Sequence, residues 1–277
     1  MSGAEHLAAP TFGLALRQWR AQRAVSQLEL ALRSEVSQRH VSFLESGRAK
    51  PSRDMVLRLA DALDVPLRHQ NAMLLAAGFA PAYPERDLTA PDLSQVRRAI
   101  DFILAKQEPY PAIVADRFWN LVASNGAAQR LVGFLLGASA AEDAPLNLMA
   151  LMFDPDGLRQ HIENWDEVAS AMFRRAQAEA LAAGDPAEVQ KLQGAIGGLP
   201  DVPPRSRALD SGTEIAPILT VHFHKDGTSL RFFSTITTLG TPQDVTLQEI
   251  RIESFFPADQ ATTDWLDAAS GESGGAP

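Results

Sequence analysis

Apolar residues recur at helical spacing through the first eighty residues of the chain. Polar residues that favour helix starts, such as Ser26, Ser37 and Ser52, stand before three of these stripes. The apolar residues that carry the pattern are Phe12, Leu16 and Trp19 in the first stripe, Leu30 and Ala31 in the second, Val41 and Leu44 in the third, Val56 and Leu59 in the fourth, and Met73 and Leu74 in the fifth. The pattern predicts an all-α domain of five helices over residues 11–78.

A Pro-rich connector follows this domain, over residues 79–91. Just beyond the connector, one more amphipathic helix carries Val96, Ile100, Ile103 and Leu104 at helical spacing. This helix is expected either to link two domains or to pair with its own copy in a dimer.

The pattern changes from residue 109, where short apolar runs alternate with turn residues. Asp116–Arg117 marks a turn between two strands, Asn125 is placed to cap a helix, and Asp226–Gly227 is a strong hairpin signal. The predicted elements are two strands within 111–124, helices at 126–136, 147–153, 158–162, 166–183 and 186–196, strands at 218–224, 230–239 and 245–256, and a closing helix at 259–268. This order predicts an α/β domain with an antiparallel sheet over residues 92–268.

Two of the short helices, within residues 26–47, are joined by a connection of only four residues. Ser26 and Glu29 fit a capping box at the start of the first. The second would turn Val41 and Leu44 inward and its polar residues outward. This is the arrangement of a helix-turn-helix, in which the second helix enters the major groove.

This stretch resembles the XRE-type, or lambda-repressor-like, helix-turn-helix family. The matching residues are Ser26-Gln27, Leu30-Ala31, Val36-Ser37, Val41-Ser42, Leu44-Glu45-Ser46-Gly47-Arg48, Pro51-Ser52 and Leu57-Leu59-Ala60-Leu63. Glu35 departs from the family, which often has Gly in the tight turn, and a left-handed backbone costs a residue with a Cβ some free energy. We therefore expect a slightly remodelled turn. The alternative is a helical hairpin with a solvated polar face, and the clustering of basic residues argues against it.

Charge is divided unevenly along the chain. The chain has 277 residues, a length that suggests two domains. Its net charge is -9, which is unexpected for a protein that binds DNA. Residues 11–78 contain ten Arg or Lys and six Asp or Glu, a net charge of +4, whereas residues 79–277 contain fifteen and twenty-seven, a net charge of -12. A basic module is thus joined to an acidic one, which should limit non-specific DNA binding.

The candidate DNA contacts follow from the predicted recognition helix and the loop after it. Outward side chains of the helix can bond base edges, and a guanidinium can do so bidentately. Basic residues and helix N-termini usually hold phosphates. The candidates are Gln27, Ser37, Gln38, Arg39, His40, Ser42, Phe43, Arg48, Lys50, Ser52 and Arg53, of which Phe43 could touch a thymine methyl. For Arg17, Arg20 and Arg23 of the first helix, phosphate contact and a solvated basic face fit equally well.

The second half of the chain has the element order of a PAS-like sensor and resembles the ligand-binding domain of MmyB-like transcription regulators. The residues that carry the resemblance are Pro109-Tyr110-Pro111-Ala112, Asp116-Arg117-Phe118-Trp119-Asn120, Asn147-Leu148, Asp154-Pro155-Asp156-Gly157-Leu158, Asn164-Trp165, Gly240-Thr241-Pro242-Gln243-Asp244 and Glu253-Ser254. With the front half, the resemblance covers about residues 11–268. It implies a small apolar ligand, such as a fatty acid, between the sheet and its helices.

Alternation along the predicted strands suggests which residues would line such a site. The candidate lining residues are Trp119, Trp165, Leu219, Val221, Phe223, Phe232, Ile250 and Ile252. A polar head group of the ligand could use His222, His224 or Arg231, depending on strand register. The sequence leaves a second possibility open, in which the core is filled and the domain is a ligand-free dimerisation scaffold.

Composition and motifs argue against several other classes of protein. The chain has no cysteine, and it lacks the nucleophile elbow, the phosphate-binding loop and the zinc-protease motif, which disfavours an enzyme with an appended DNA-binding module. His222 and His224 lie two apart without an identifiable third ligand, so we expect neither a metal nor a cofactor. No run of about 18 apolar residues and no signal-peptide pattern occur, so we expect a cytoplasmic protein outside the membrane.

The expected assembly is a homodimer bound to a double-stranded operator. A single helix-turn-helix buries little surface, and such proteins commonly bind two half-sites about one helical turn apart. The apolar helix with Val96, Ile100, Ile103 and Leu104 is the candidate for the pairing surface.

Overall fold

The computed structural model describes residues 11–137, 146–183 and 218–271. These residues form two compact units. The first contains the chain up to Glu85 together with the segment Pro242–Gln248, and the second contains most of the remainder. The predicted helix at 186–196, the Gly- and Pro-rich break after it and the tail beyond residue 271 lie outside the described residues.

The first unit confirms the all-α domain that the apolar spacing predicts. Its helices are α1 (Phe12–Gln22), α2 (Gln27–Arg33), α3 (Gln38–Glu45), α4 (Arg53–Asp61) and α5 (Leu67–Ala76). The hydroxyls of Ser26, Ser37 and Ser52 cap α2, α3 and α4, each by accepting a hydrogen bond from a backbone N–H three residues later. The apolar stripes meet in one core, in which Leu16 and Leu30 are fully buried.

The turn between α2 and α3 keeps its left-handed geometry, so the expected remodelling is wrong. Glu35 has φ of +56°, a conformation that costs a non-glycine residue free energy. Hydrogen bonds on both sides hold it there. The buried Ser34 hydroxyl donates to the Leu30 carbonyl at 2.6 Å, and the Val36 N–H donates to the Ala31 carbonyl at 2.9 Å. The connection between the two helices is therefore fixed although it lacks glycine.

The second unit is built on an antiparallel sheet, as predicted. Its five strands are β1 (Ala112–Ala115), β2 (Leu121–Ser124), β3 (Thr220–Lys225), β4 (Thr228–Thr237) and β5 (Arg251–Pro257), in the order β2-β1-β5-β4-β3. The helices of this part of the chain are α6 (Ser94–Gln107), α7 (Gly126–Leu136), α8 (Leu148–Phe153), α9 (Trp165–Ala183) and α11 (Gln260–Gly271), with 3-10 turns at Pro91–Leu93 and Leu158–His161.

Residues 245–256 were predicted as a single strand, and that prediction is wrong. Val245–Glu249 forms a short helix, α10, and the strand begins at Arg251. The buried Asp244 starts this helix, because its Oδ1 accepts a hydrogen bond from the Thr246 N–H at 2.9 Å. A local cap has therefore overridden a run of residues that alternates like a strand.

Strand pairing divides the sheet of the second unit into two faces. Val221 pairs with Phe232, and Phe223 pairs with Leu230, so these side chains share one face, here called the Phe232 face. Buried residues of α7, α9 and α11 pack in the same apolar cluster as Phe232; they include Leu135, Val168 and Leu266.

Across the described residues, no helix is both long and apolar enough to cross a membrane.

Candidate DNA-reading surface and ligand-binding sheet

An ion pair fixes α3 against α1. The Glu45 carboxylate accepts hydrogen bonds from Arg20 Nε at 2.6 Å and Nη2 at 3.0 Å, and from Gln27 Nε2 at 2.8 Å. The Glu45 side chain is only 6% exposed and that of Arg20 17%. Burial alone would raise the pKa of the Glu45 carboxyl, but the bonds from Arg20 and Gln27 outweigh burial and lower it. The pair is therefore charged at neutral pH and ties α1, α2 and α3 together.

The outer side of α3 is polar and accessible. Gln38 and Arg39 are exposed and Ser42 is half-buried, whereas Val41 and Leu44 lie in the core. This is the division of faces that the sequence predicts. It leaves a row of hydrogen-bonding groups that can meet base edges.

Phe43 lies beside two arginines. The guanidinium carbon of Arg39 is 5.1 Å from the centroid of its ring, and that of Arg48 is 6.0 Å away. Such contacts attract a cation to the face of an aromatic ring. Phe43 is half-buried, so its ring restricts the positions of two cations next to the outer side of α3.

The loop after α3 presents cations beside the start of α4. Gly47, with φ of +71°, ends α3 and turns the chain. Arg48, Lys50 and Arg53 are all exposed, and the Ser52 hydroxyl caps α4. We call the outer side of α3 and residues 48–53 together the candidate DNA-reading surface.

Three other candidates for DNA contact make hydrogen bonds within the first unit. Ser37 is the exposed cap of α3, and His40, which donates its N–H to that cap, is half-buried. Gln27 donates one amide hydrogen to Glu45. An amide nitrogen carries two hydrogens, so this bond is compatible with a phosphate contact.

The arginines of α1 do not act as one basic face. Arg20 is engaged with Glu45, and Arg23 donates from Nε to the Leu63 carbonyl at 3.0 Å and from Nη2 to the Asp64 carbonyl at 2.9 Å. Both arginines therefore stabilise the fold of the first unit. The sequence had suggested only phosphate contact or a solvated basic face for them.

In the second unit, the residues Asp116 to Asn120 form a closed hydrogen-bonded turn. Asp116 Oδ1 accepts from the N–H groups of Phe118 and Asn120, at 2.8 and 2.9 Å, and its Oδ2 accepts from Asn120 Nδ2. Asn147 Nδ2 donates to the Phe118 carbonyl and to Asn120 Oδ1, and the Asn147 oxygen caps α8. The motif is therefore structural, and it connects the β1–β2 turn to α8.

This turn holds Trp119 in a left-handed conformation. Its φ is +67°, which costs a bulky residue free energy, and its side chain is buried. The ring packs with Phe153 and Phe173 in an apolar cluster, and the guanidinium carbon of Arg175 lies 4.2 Å from its centroid. The motif thus directs Trp119 into the helical layer of the unit.

Asn164 and Trp165 join the start of α9 to the sheet. Asn164 Nδ2 donates to the Thr220 carbonyl at 2.7 Å, and its Oδ1 accepts from the His222 N–H at 3.0 Å. Trp165 packs against both apolar clusters, the one around Phe232 and the one around Trp119. Its ring meets the Phe153 ring at 5.0 Å between centroids, in an edge arrangement.

The Asp154 to Gly157 turn also has a structural role. Asp154 Oδ1 accepts from the Asp156 N–H at 3.0 Å, as carboxylates in turns usually do. A Cβ at Gly157 would lie 2.5 Å from the Leu151 carbonyl oxygen, so only glycine fits this close approach.

The structure brings together some of the predicted lining residues and separates others. Val221, Phe223, Phe232 and Trp165 belong to one cluster on the Phe232 face. Ile252 does not join them. It neighbours Glu253, which pairs with Ile236 of the Phe232 face, so Ile252 points to the opposite face.

Two further lining candidates lie next to the strands rather than in them. Ile250 is buried and lies just before β5 in the sequence, and Leu219 is half-buried just before β3. Neither has a strand position that assigns it to the Phe232 face.

The residues predicted for a polar head group also lie away from that face. His222 pairs with Arg231 and His224 with Ser229, and these positions alternate with Phe223 and Leu230. His222 Nε2 is 2.9 Å from Thr220 Oγ1. Within the described ranges, no three His, Asp or Glu side chains come together as a metal site.

A polar network on the Phe232 face is a feature that the sequence analysis missed. Glu253 accepts from Arg175 Nη1 at 3.1 Å and from the Ser234 hydroxyl at 2.6 Å, and Arg175 Nε donates to Glu179 at 3.1 Å. Alternation along β5 shows only that Glu253 and Ile252 point to opposite faces of the sheet. The sequence does not show which of the two residues lies on the Phe232 face, because that depends on how β5 pairs with β4.

Two family models match the chain. Residues 96–269 are similar to the MmyB-like transcription regulator ligand binding domain, and residues 16–70 are similar to a helix-turn-helix model. These ranges contain the sheet with its helices and the candidate DNA-reading surface, respectively. No individually curated protein matches the chain.

Proposed function

The chain belongs to the family with an MmyB-like transcription regulator ligand binding domain, and we propose that it is a one-component sensor that binds a specific operator and a fatty acid. That it is a DNA-binding transcription regulator with a ligand-binding domain follows from its two matches. The operator contacts, the fatty acid and the homodimer are the proposal. Such a regulator would work in the cytoplasm, where its operator is.

The observation that carries the DNA-binding proposal is the polar outer side of α3. Gln38, Arg39 and Ser42 project from a helix that is fixed by the buried Glu45 and ends at Gly47. We propose that this side enters the major groove, and that the exposed cations of residues 48–53 hold phosphates.

Two substitutions test whether α3 contacts bases and residues 48–53 contact phosphates. Arg39→Ala should weaken binding to an operator selected from random DNA by about 1–3 kcal/mol and relax the preference at one base pair. Lys50→Ala should weaken binding to all sequences alike and reduce the salt dependence by about one counterion. Fluorescence anisotropy across salt concentrations measures both. Unchanged operator affinity for Arg39→Ala would show that the wrong side of α3 has been assigned.

The ligand proposal rests on the apolar contacts of the Phe232 face. Val221, Phe223 and Phe232 lie in one cluster with the helices, and Trp165 continues it to the cluster of Trp119. A largely apolar lining with few polar groups suits a fatty acid. The PAS-like character of the unit is part of this proposal and is supported by the strand order.

Extraction and titration test the ligand. Organic solvent should release a fatty acid from purified protein, and a fatty-acid series should raise its melting temperature and change operator affinity. No released compound and no effect across the series would favour the alternative, a regulator with a ligand-free dimerisation scaffold.

We also propose that the protein binds its operator as a homodimer, and that two of the four residues expected to form the pairing surface take no part in it. Ile100 and Leu104 are 4% and 5% exposed within a single chain, so a second copy cannot reach them. On the same helix, Val96 and Ile103 are half-buried and Phe102 is 63% exposed. Sedimentation with and without operator tests the dimer, and a monomer under both conditions would exclude it.

A further inference from the structure

The indole nitrogen of Trp165 is buried and has no hydrogen-bond partner among the described residues. An indole N–H can only donate, and a buried donor without an acceptor lowers the stability of a fold. Native proteins keep few such groups, and each calls for an explanation. The donor lies in the helical layer of the second unit, where the ligand-binding match applies.

The position of Trp165 is fixed by the residues around it. Asn164 makes two hydrogen bonds to the β3 backbone, at Thr220 and His222, and so anchors the start of α9. The Phe153 ring contacts the indole edge-on. Because the backbone and the ring are both held, the indole cannot turn its N–H to water without losing these contacts.

The local charge favours an anionic acceptor. The guanidinium carbon of Arg159 lies 5.1 Å from the centroid of the Trp165 ring, and Arg159 is half-buried. The acids next in the chain, Asp166 and Glu167, are exposed to water, so they affect the buried side of the ring less.

We propose that the Trp165 N–H donates a hydrogen bond to the carboxylate of an acid whose apolar chain lies against the Phe232 cluster, with Arg159 supplying positive charge nearby. This inference rests on the proposed binding of an apolar ligand and adds the group that orients it. It replaces the head-group candidates His222, His224 and Arg231, whose strand positions face away from the Phe232 cluster.

The nitrogen-15 NMR signal of the Trp165 side chain reports on this bond directly. The sequence has four tryptophans, so the indole region holds four signals, and the one missing in Trp165→Phe belongs to Trp165. Decanoate should move that signal downfield, whereas decanol should leave it near its free position. If Trp165→Phe does not fold, phenylalanine substitutions of Trp19, Trp119 and Trp265 assign the signal by elimination.

Calorimetry gives the energetic test, with a matched control. Trp165→Phe should bind decanoate about tenfold more weakly than wild type and bind decanol equally well, because only the acid offers a charged acceptor. Trp19→Phe removes the same N–H from a ring in the core of the first unit, outside the Phe232 cluster, and it should leave both affinities unchanged. Arg159→Gln should also weaken decanoate selectively.

The outcomes separate this inference from the proposed function. If wild type binds neither decanoate nor decanol, the apolar-ligand proposal fails. If both bind, but the Trp165 signal stays in place and Trp165→Phe keeps the preference for the acid, the ligand proposal stands and the role of Trp165 is refuted. In protein freed of any co-purified acid, a Trp165 signal that is already downfield and unmoved by decanoate would show that another acceptor holds the N–H, which would refute the role of Trp165.

Discussion

Removing the Glu45 carboxylate should destabilise the first unit more than removing any exposed carboxylate in it. Glu45→Gln keeps the size of the side chain but loses the charge that compensates Arg20. Three hydrogen bonds converge on this carboxylate, two from Arg20 and one from Gln27. The substituted amide can accept at one oxygen only, so the set cannot be satisfied again.

The magnitude follows from how deeply the pair is buried. Breaking a fully buried ion pair typically costs about 3–5 kcal/mol. The Arg20 side chain is 17% exposed, so water can compensate part of its charge. We therefore expect Glu45→Gln to lower the free energy of unfolding of the first unit by about 2–3 kcal/mol.

Glu29→Gln is the matched control, because it makes the same change on α2. Glu29 pairs with Arg33 one helical turn away, and both side chains are nearly half exposed, at 49% and 45%. Exposed pairs of this kind contribute only about 0.3–0.5 kcal/mol. Hydrogen exchange of peptides from α1 and α3 in the full chain measures both variants. A cost for Glu45→Gln no larger than that for Glu29→Gln would refute the role assigned to the buried pair.

The same pair predicts a pH dependence with a definite sign. The pKa of Glu45 is lowered in the fold, so its ionised form adds stability above the pKa of the unfolded chain, about 4.3. That contribution is lost as the pH falls through the folded pKa. The difference between wild type and Glu45→Gln should therefore be full at pH 7 and shrink below pH ~4.

Three further substitutions test contacts described above. Phe43→Leu removes the ring beside Arg39 and Arg48 and should cost about 1 kcal/mol of operator binding, measured by anisotropy, while Phe43→Tyr should restore it. Asp116→Ala loses three hydrogen bonds and should lower the unfolding free energy of the second unit by about 2–3 kcal/mol, measured by hydrogen exchange of β1. Asn125→Asp should destabilise that unit about as much as Asn125→Ala in urea titrations, because a carboxylate cannot donate to the carbonyl that Asn125 Nδ2 bonds at 2.8 Å.

The features that the sequence predicted well depend on short-range contacts. Ser26, Ser37, Ser52 and Asn125 each accept a bond from an N–H three residues later, so the partner is fixed once the helix begins. The Asp226–Gly227 hairpin is equally local, and both residues have the positive φ that its turn requires. The capping box at Ser26 is only half realised, since the Glu29 carboxylate bonds Arg33 instead.

Long-range partners could not be predicted in this way. Arg20, Arg23 and Arg17 look alike in the sequence, yet Arg20 meets Glu45, 25 residues away, and Arg23 meets the Leu63 carbonyl, 40 residues away. Residue type shows that a guanidinium needs acceptors, but the packing of α1 against later helices decides which acceptors it finds.

Ile252 was predicted to line the ligand site but lies on the opposite face of the sheet, which shows that the pairing of a strand decides which face a side chain occupies. Side chains alternate with a period of two, so a sequence defines two faces but does not say which of them meets the helices. Residues 245–249 form a helix capped by Asp244, and β5 begins at Arg251. Its pairing with β4 places Glu253 opposite Ile236 and Ile252 opposite Thr237. That register puts Glu253 on the Phe232 face and turns Ile252 away. The Phe232 face consequently carries one carboxylate among its apolar side chains, and Arg175 and the Ser234 hydroxyl already satisfy that carboxylate.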